Sequence, residues 1–275
     1  MKIAGWKYYN HAAVSTAAPH EEVDLAPISD GSIWNLDGSP ILARWTSNFD
    51  CAEETNWWYV IREAPFDIEA ISPKERKSIR QALRKCYVKR QLLSENTKAL
   101  YECYITAHRK YLKADKASTY EEFDEWCRKN SERLDCWCGY DNETNLMIGF
   151  ITVQPFESHA DSVTAKFNPD YSNRQVSDAL YYCILEYYLN ELKLRYVSSG
   201  TRNILHQTNT QEYKIRRFGY KKAYCKLNVA YSPKIKWAVK LLFPFRRALA
   251  LFDSVKICHK INGVLKMEAI VRNKE

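Results

Sequence analysis

The chain has 275 residues, of which 46% are apolar and 27% are charged, as in a soluble globular protein with a full hydrophobic core. No internal repeat or low-complexity tract interrupts it, which excludes a repeat protein and leaves one large domain or two small ones. The formal net charge of +8 is uneven, because residues 1–72 have a net charge of −7 whereas residues 73–90 and 233–275 each have +7.

The two basic blocks indicate an anionic partner, which could be a nucleotide-like cofactor, an RNA or a membrane face. For residues 73–90, a solvated helix surface explains the charge equally well. The nine cysteines are odd in number and no signal peptide precedes them, so we expect reduced, mostly buried thiols in a cytoplasmic protein. The spacing of Cys136 and Cys138 differs from that of zinc knuckles, and no metal is expected.

In chain order, residues 1–72 contain turn formers and short aromatic runs, which predict strands and long loops. Ser72, Pro73 and Glu75 form a capping-box start, after which a basic helix is predicted to Lys85. Helices are then predicted over 96–112 and 118–129, strands over 134–140, 147–154 and 163–167, a helix over 177–192, a strand over 196–199, a helix over 207–217 and a strand over 221–230.

Residues 167–180 read FNPDYSNRQVSDAL and resemble the signature of the GNAT acyltransferase superfamily, V-x-P-x-Y-R-G-x-G-[IV]-G-x-A-L. The residues in register are Pro169, Tyr171, Arg174, Val176, Ala179 and Leu180. Asn173, Gln175 and Ser177 stand where the family has glycines. The resemblance covers roughly residues 74–231 and implies a GNAT-like α/β fold with a mixed sheet. It also implies a splayed pair of adjacent strands near Phe167.

Three segments are expected: an N-terminal β- and loop-rich extension over 1–72, which could cover the cleft, a GNAT-like domain over 73–231, and a basic, apolar, helical tail over 232–275. Residues 75–85 look like the basic helix that opens the second module of Fem-type aminoacyltransferases, which use duplicated GNAT folds. The first 72 residues are too short for a complete first copy.

In the GNAT family the signature binds an acyl-coenzyme A, here with acetyl-coenzyme A as the expected donor. Carried over to this chain, the cofactor-binding residues are Phe167, Asn168, Ser172, Asn173, Arg174, Gln175, Val176 and Ser177. Family glycines let backbone amides at a helix N-terminus approach a pyrophosphate. The side chains of Gln175 and Ser177 and the charge of Asp178 weigh against ordinary coenzyme A binding, and acylated tRNA is the next donor considered.

The second half of the family pattern aligns with residues 208–220, where Ile215 replaces the Tyr that commonly protonates the leaving thiolate. Tyr213 lies two residues away, on a different helix face. The candidate catalytic residues are therefore His206, which titrates near neutrality, and Tyr213. Tyr9, His11 and Asn203 are candidate substrate contacts. Each of these histidines has an ordinary structural alternative.

The predicted function is an N-acyltransferase acting on a small-molecule amine, with an amino sugar or an envelope or polysaccharide precursor as the acceptor. The alternatives are a Fem-type, aminoacyl-tRNA-dependent transferase and a catalytically inactive GNAT-like binding module. Residues 234–252 are basic and apolar but interrupted by Pro244, which excludes a single transmembrane helix. They predict either a peripheral contact with an anionic membrane or a helix packed on the domain.

Overall fold

The computed structural model describes residues 1–109, 116–202, 204 and 209–274. The chain forms two compact units, each assembled from segments that are distant in sequence. The first comprises residues 1–59, 201–208 and 222–275, and the second comprises residues 60–200 and 209–221. The predicted divisions at residues 72 and 231 treat the segments as contiguous, whereas here both ends of the chain belong to the same unit.

The regular elements follow one another as β1 (Trp6–Tyr9), β2 (Ala12–Ser15), α1 (Ala26–Ser29), β3 (Leu42–Ser47), β4 (Trp58–Glu63), α2 (Pro73–Lys85), β5 (Cys86–Leu92), α3 (Thr97–His108), α4 (Tyr120–Asn130), β6 (Asp135–Asp141), β7 (Met147–Pro155), β8 (His159–Phe167), α5 (Val176–Leu185), β9 (Tyr196–Thr201), α6 (Thr210–Phe218), β10 (Lys221–Tyr224), β11 (Lys226–Tyr231), α7 (Pro233–Leu242), α8 (Arg246–Ala250) and α9 (Lys256–Val271). Short 3-10 helices occupy Ser32–Asn35, Pro169–Arg174 and Phe243–Phe245, and a π-helix at Glu186–Glu191 continues α5.

The first unit contains a four-stranded sheet in the order β1-β2-β3-β11. The β2–β3 pair is parallel, and the other two pairs are antiparallel. Its C-terminal helices have a core of their own, in which Val239 and Phe243 contact Leu265 and Ala269. No helix among the described residues is long and apolar enough to cross a bilayer.

A seven-stranded mixed sheet, in the order β10-β4-β9-β8-β7-β6-β5, is the framework of the second unit. Successive side chains of a strand point to opposite faces. On β6, Cys136 and Cys138 therefore pack with α3 and α4, whereas Trp137 contacts Tyr188, which follows α5. Helices thus cover both faces of the sheet, as in the predicted α/β class.

Side chains cap the starts of two helices, one of them the predicted start at Ser72. The Ser72 side chain accepts a hydrogen bond from the backbone N–H of Glu75, with Pro73 at the first helical position of α2. Thr119 and Glu122 form a complete capping box before α4. Such caps satisfy backbone N–H groups that have no partner inside the helix.

The two strands next to the signature segment separate, as the resemblance implies. The parallel pairing of β8 with β9 covers His159–Asp161 against Tyr196–Ser198. The antiparallel pairing of β8 with β7 continues to Phe167. Beyond Asp161 and Ser198, the facing edges of β8 and β9 are therefore not joined by ladder pairs. This is the splayed pair of strands expected near Phe167.

Helix α5 lies unusually close to the sheet at its first residue. Gly139 of β6 and Gly149 of β7 are directly opposite each other in the ladder. A Cβ atom on Gly139 would lie 2.3 Å from Cγ2 of Val176, and one on Gly149 would lie 3.0 Å from Cγ1 of Val176. Two adjacent glycines thus make room for the start of the helix.

The structure differs from the predicted elements at three places. Strand β5 occupies residues that continue the basic pattern of α2, and it pairs with β6 over its whole length. The strand expected over 221–230 is two strands, because β10 belongs to the seven-stranded sheet and β11 to the four-stranded sheet. Helix α5 changes to π-helical geometry after Leu185, within the helix predicted over 177–192.

Six of the nine cysteines are buried, which agrees with the predicted packing role of the thiols. Burial raises the pKa of Cys86 to about 11 and that of Cys103 to about 12. Within the described ranges, no group of three or more His, Cys, Asp or Glu side chains is placed to bind a metal ion.

Candidate functional site

Arg174, the predicted phosphate-binding cation, is held by two carboxylates. Its Nε atom lies 2.8 Å from Oδ1 of Asp141, which is fully buried, and its Nη1 atom donates to Oε1 of Glu143 at 2.9 Å. The hydrogen bond with Arg174 lowers the pKa of Glu143. The charge of this arginine is therefore compensated within the protein.

One of the three positions where the signature has glycine adopts a left-handed backbone conformation. Gln175 has a φ angle of 58°, in the left-handed region, where the family has a glycine. The Lys85 ammonium donates to the carbonyl oxygen of Asn173 at 3.0 Å, and the Asn168 side chain accepts from the N–H of Asp170 at 3.0 Å. These bonds fix the segment that precedes α5.

A buried polar network surrounds the first turn of α5. The carboxylate of Asp178, only 2% exposed, accepts hydrogen bonds from the hydroxyls of Ser78, at 2.9 Å, and Tyr213. Arg217 lies 3.5 Å from the same carboxylate and also pairs with Glu75. The network ties α2, α5 and α6 together.

Two predicted site residues meet in this network, since the Tyr213 hydroxyl also donates to Oγ of Ser177 at 3.2 Å. Burial, and then the charge of Asp178, raise the pKa of Tyr213 well above its usual range. The phenol therefore stays protonated and donates to Asp178. A catalytic role for Tyr213 stays a prediction.

These contacts test whether the segment suits coenzyme A. A pyrophosphate at the start of α5 would need free cationic or N–H donors. The Arg174 charge is already neutralised, and the first turn contains the Asp178 carboxylate. The left-handed Gln175 and the separated edge of β8 fit the family pattern, but the groups that would bind phosphate do not. The compensated Arg174 and the Asp178 carboxylate therefore weigh against a pyrophosphate at the start of α5, although no described side chain caps the backbone N–H groups of its first turn.

Lys214 of α6, which the sequence motifs did not single out, is a buried cation with a strongly lowered pKa. Its side chain is 3% exposed, and its Nζ atom donates to Oγ of Ser199 at 2.6 Å. Burial lowers its pKa to about 7. Among the described residues, no carboxylate forms an ion pair with it.

Aromatic rings complete the surroundings of Lys214. Its Nζ atom lies 4.5 Å from the ring centroid of Tyr181 and 5.9 Å from that of Tyr220. Both tyrosines are buried, and neither hydroxyl has a hydrogen-bond partner in the described part of the chain. Buried hydroxyls normally find a partner, so these two are exceptions among the described residues.

Lys214 lies where the two central strands separate. Ser199, its hydrogen-bond partner, directly follows Ser198, the last residue of β9 that pairs with β8. In splayed sheets the separated strand edges leave backbone groups free. An amine with a pKa of about 7 at such a position can accept or release a proton at neutral pH.

A sequence signal for Lys214 does exist. Helix α6 buries two of its residues, Lys214 and Phe218, which are one helical turn apart and share a face. A lysine four residues before a buried aromatic is thus a candidate for burial. The tyrosines around it come from distant positions, and no local pattern connects them.

The remaining candidates lie in the first unit or outside the described residues. Tyr9 and His11 line a cavity of about 480 Å³, together with Arg44 and His259. Nδ1 of His11 lies 3.1 Å from the Tyr8 hydroxyl. Their contact with substrate stays a prediction. His206 and Asn203 lie outside the described residues.

Comparisons with known proteins support the fold. No family model and no curated protein matches the sequence. Among solved structures, FemX is similar with a TM-score of 0.59 and 7% identity over 85% of each chain. The C-terminal domain of a protein described as a putative lysylphosphatidylglycerol synthetase from Agrobacterium fabrum is similar with a TM-score of 0.52 and 10% identity, over 86% of this chain and 82% of that one. The chain therefore shares its fold with these two proteins, in agreement with the GNAT-like α/β fold that the signature segment predicts.

Proposed function

We propose that the protein transfers an acyl or aminoacyl group from an activated donor to the amine of a small molecule, and that Lys214 accepts the proton of that amine. The observation behind this proposal is the buried Lys214 amine, with a pKa near 7, beside the unpartnered hydroxyls of Tyr181 and Tyr220 in the described part of the chain. An amine held neutral by burial is a suitable base at neutral pH.

In the proposed reaction, the acceptor nitrogen attacks the donor carbonyl carbon and a C–N bond forms. Lys214 takes the proton that the nitrogen loses, and the leaving group departs with the electrons of the broken bond. The hydroxyls of Tyr181 and Tyr220 donate hydrogen bonds to polar atoms of the substrate. Backbone N–H groups of β8 beyond Asp161, on the edge that faces β9, stabilise the negative charge on the carbonyl oxygen.

The geometry favours an aminoacyl-tRNA donor over the acyl-coenzyme A that the signature implies. The compensated Arg174 and the buried Asp178 weaken the phosphate site at α5. Helix α2, in contrast, exposes Lys74, Lys77 and Arg84 at spacings of three and seven residues, on one helical face. Such a row of cations is suited to the phosphates of a nucleic acid.

The test incubates the purified protein with either radiolabelled acetyl-coenzyme A or radiolabelled aminoacyl-tRNA and a panel of amines that includes amino sugars and cell-envelope precursors. We expect label transfer from aminoacyl-tRNA, with a rate that rises as the pH passes through about 7. Lys214→Met should lower the rate at least about 100-fold, as removal of a general base does. Lys98→Met, an exposed lysine on α3, is the control.

Three results would change this conclusion. Transfer from acetyl-coenzyme A alone would restore the donor implied by the signature. Full activity of the Lys214→Met variant would remove Lys214 from the mechanism. Saturable binding of either donor without any transfer would identify a binding module.

A further inference from the structure

The C-terminal helices of the first unit present a second, unpacked apolar face. Val239 of α7 and Phe243, which directly follows α7, face the core with Leu265. On the opposite side, Trp237 is 72% exposed and Leu241 is 71% exposed. Helix α7 is thus apolar on two faces, and packing within the unit explains only the first.

The exposed apolar residues continue beyond α7. Leu241 lies four positions after Trp237, and Phe245 lies four positions after Leu241. This spacing places the three side chains along one side of the helical segment. Four further exposed apolar residues lie on the next stretch of chain: Leu251, Phe252, Val255 and Ile257. A row of exposed large apolar side chains of this length marks an interaction surface.

The charges along residues 232–252 all have the same sign. Residues 232–252 contain five cations and no acidic residue, namely Lys234, Lys236, Lys240, Arg246 and Arg247. The Lys240 ammonium lies 5.3 Å from the ring centroid of Trp237, so cation and aromatic ring are interleaved. The next carboxylate along the chain, Asp253, is already bound by Asn262 and His259.

We propose that this surface, defined as the exposed side chains of residues 234–257, binds the face of an anionic lipid bilayer. Aromatic and aliphatic side chains enter the headgroup region while lysines and arginines contact anionic headgroups, which is the physical pattern of an interfacial helix. A second copy of the chain is a poor occupant, because it would bring five cations against five cations.

The experiment sediments the full-length protein with vesicles of equal parts phosphatidylglycerol and phosphatidylcholine, or of phosphatidylcholine alone. We expect binding to the anionic vesicles that weakens between about 50 and 500 mM salt. Lys236→Glu/Lys240→Glu should weaken it at least about 30-fold, since each lysine near an anionic surface contributes about fivefold. The control is Lys98→Glu/Lys116→Glu, which changes two exposed lysines elsewhere.

The apolar row is tested by Trp237→Ser/Leu241→Ser/Phe245→Ser, which should abolish sedimentation. Its matched control is Leu92→Ser/Leu146→Ser/Leu192→Ser, which changes three exposed leucines of the second unit. Equal binding to both vesicle types, or unchanged binding of the apolar variant, would overturn the proposal. The proposal would also be overturned if the unmodified protein bound no vesicles and light scattering showed a dimer that the apolar variant does not form. Transferase activity on soluble acceptors should not change.

Discussion

Two cations of the second unit, Arg174 and Lys214, are held in opposite ways. Arg174 belongs to the signature segment and has two carboxylate partners, one of them fully buried. Lys214 lies outside that segment and is surrounded by a serine hydroxyl and aromatic rings. Whether a cation is already paired with a carboxylate therefore depends on the charges beside it in the fold, and its position in the sequence signature does not reveal this.

The same type of substitution should have opposite effects at the two positions. Lys214→Met should stabilise the protein at pH 7 by about 2–4 kcal/mol. The buried amine, with its pKa moved from 10.5 to about 7, costs on the order of 4 kcal/mol at this pH, whereas the lost hydrogen bond to Ser199 returns only about 1 kcal/mol. Denaturant unfolding at pH 7 measures the difference from the unmodified protein.

The lowered pKa of Lys214 makes the free energy of unfolding depend on pH. The folded-state pKa of Lys214 is lowered, so the unfolded state binds more protons between about pH 7 and 10.5, and stability rises with pH over this range. The advantage of Lys214→Met should therefore shrink from pH 7 to pH 9. The Lys98→Met control should show no such trend. A difference in unfolding free energy between Lys214→Met and the unmodified protein that does not change with pH would contradict the lowered pKa.

Arg174→Met should instead lower Tm by about 5–10 °C, because it leaves the buried Asp141 carboxylate without its counter-ion. Adding Asp141→Asn to this variant should recover part of the loss, since no buried charge then remains uncompensated. Glu143→Gln removes only the exposed partner and should change Tm by no more than about 1 °C. Differential scanning calorimetry measures Tm for these variants. A Tm raised by Arg174→Met would contradict the expected opposite effects of the substitutions at Arg174 and Lys214.

The smallest expected effect is that of Tyr213→Phe, which tests the role of the Tyr213 hydroxyl. Tyr213→Phe removes the hydroxyl that donates to Asp178 and Ser177 and should cost about 1–2 kcal/mol of stability, while Ser78 and Arg217 still hold the carboxylate. Activity per folded molecule should stay within about threefold. A much larger loss of rate, with folding intact, would return Tyr213 to the catalytic residues.

Local patterns predicted much of the fold. The caps at Ser72 and Thr119 need only neighbouring residues, and the signature placed α5 and the separated strands in register. Strand β5 was missed because its register is set by the distant β6, while its residues continue a basic pattern. The division of 221–230 likewise depends on the pairing of β11 with β3.

The candidate site was less predictable than the fold. Segment 167–177 was found from its resemblance, but the compensation of Arg174 depends on Asp141 and Glu143, which lie about 30 residues earlier. The low pKa of Lys214 depends on burial by Tyr181 and Tyr220, which a charge-rich helix sequence does not reveal. A lysine is rarely fully buried without a partner, so the position of Lys214 one turn before Phe218 is only a weak signal of burial.

The glycine pair under α5 has a consequence for recognising distant relatives. In the family signature, glycines lie on the helix side, and this chain has none at those positions. Here the close approach is made possible by Gly139 and Gly149, on the strands beneath Val176. The family glycines serve the approach to a pyrophosphate, whereas this pair serves the contact between the helix and the sheet. A search that scores the glycines of strands β6 and β7 together with a β-branched residue at the helix start should therefore find proteins that make this contact without the glycines of the linear motif.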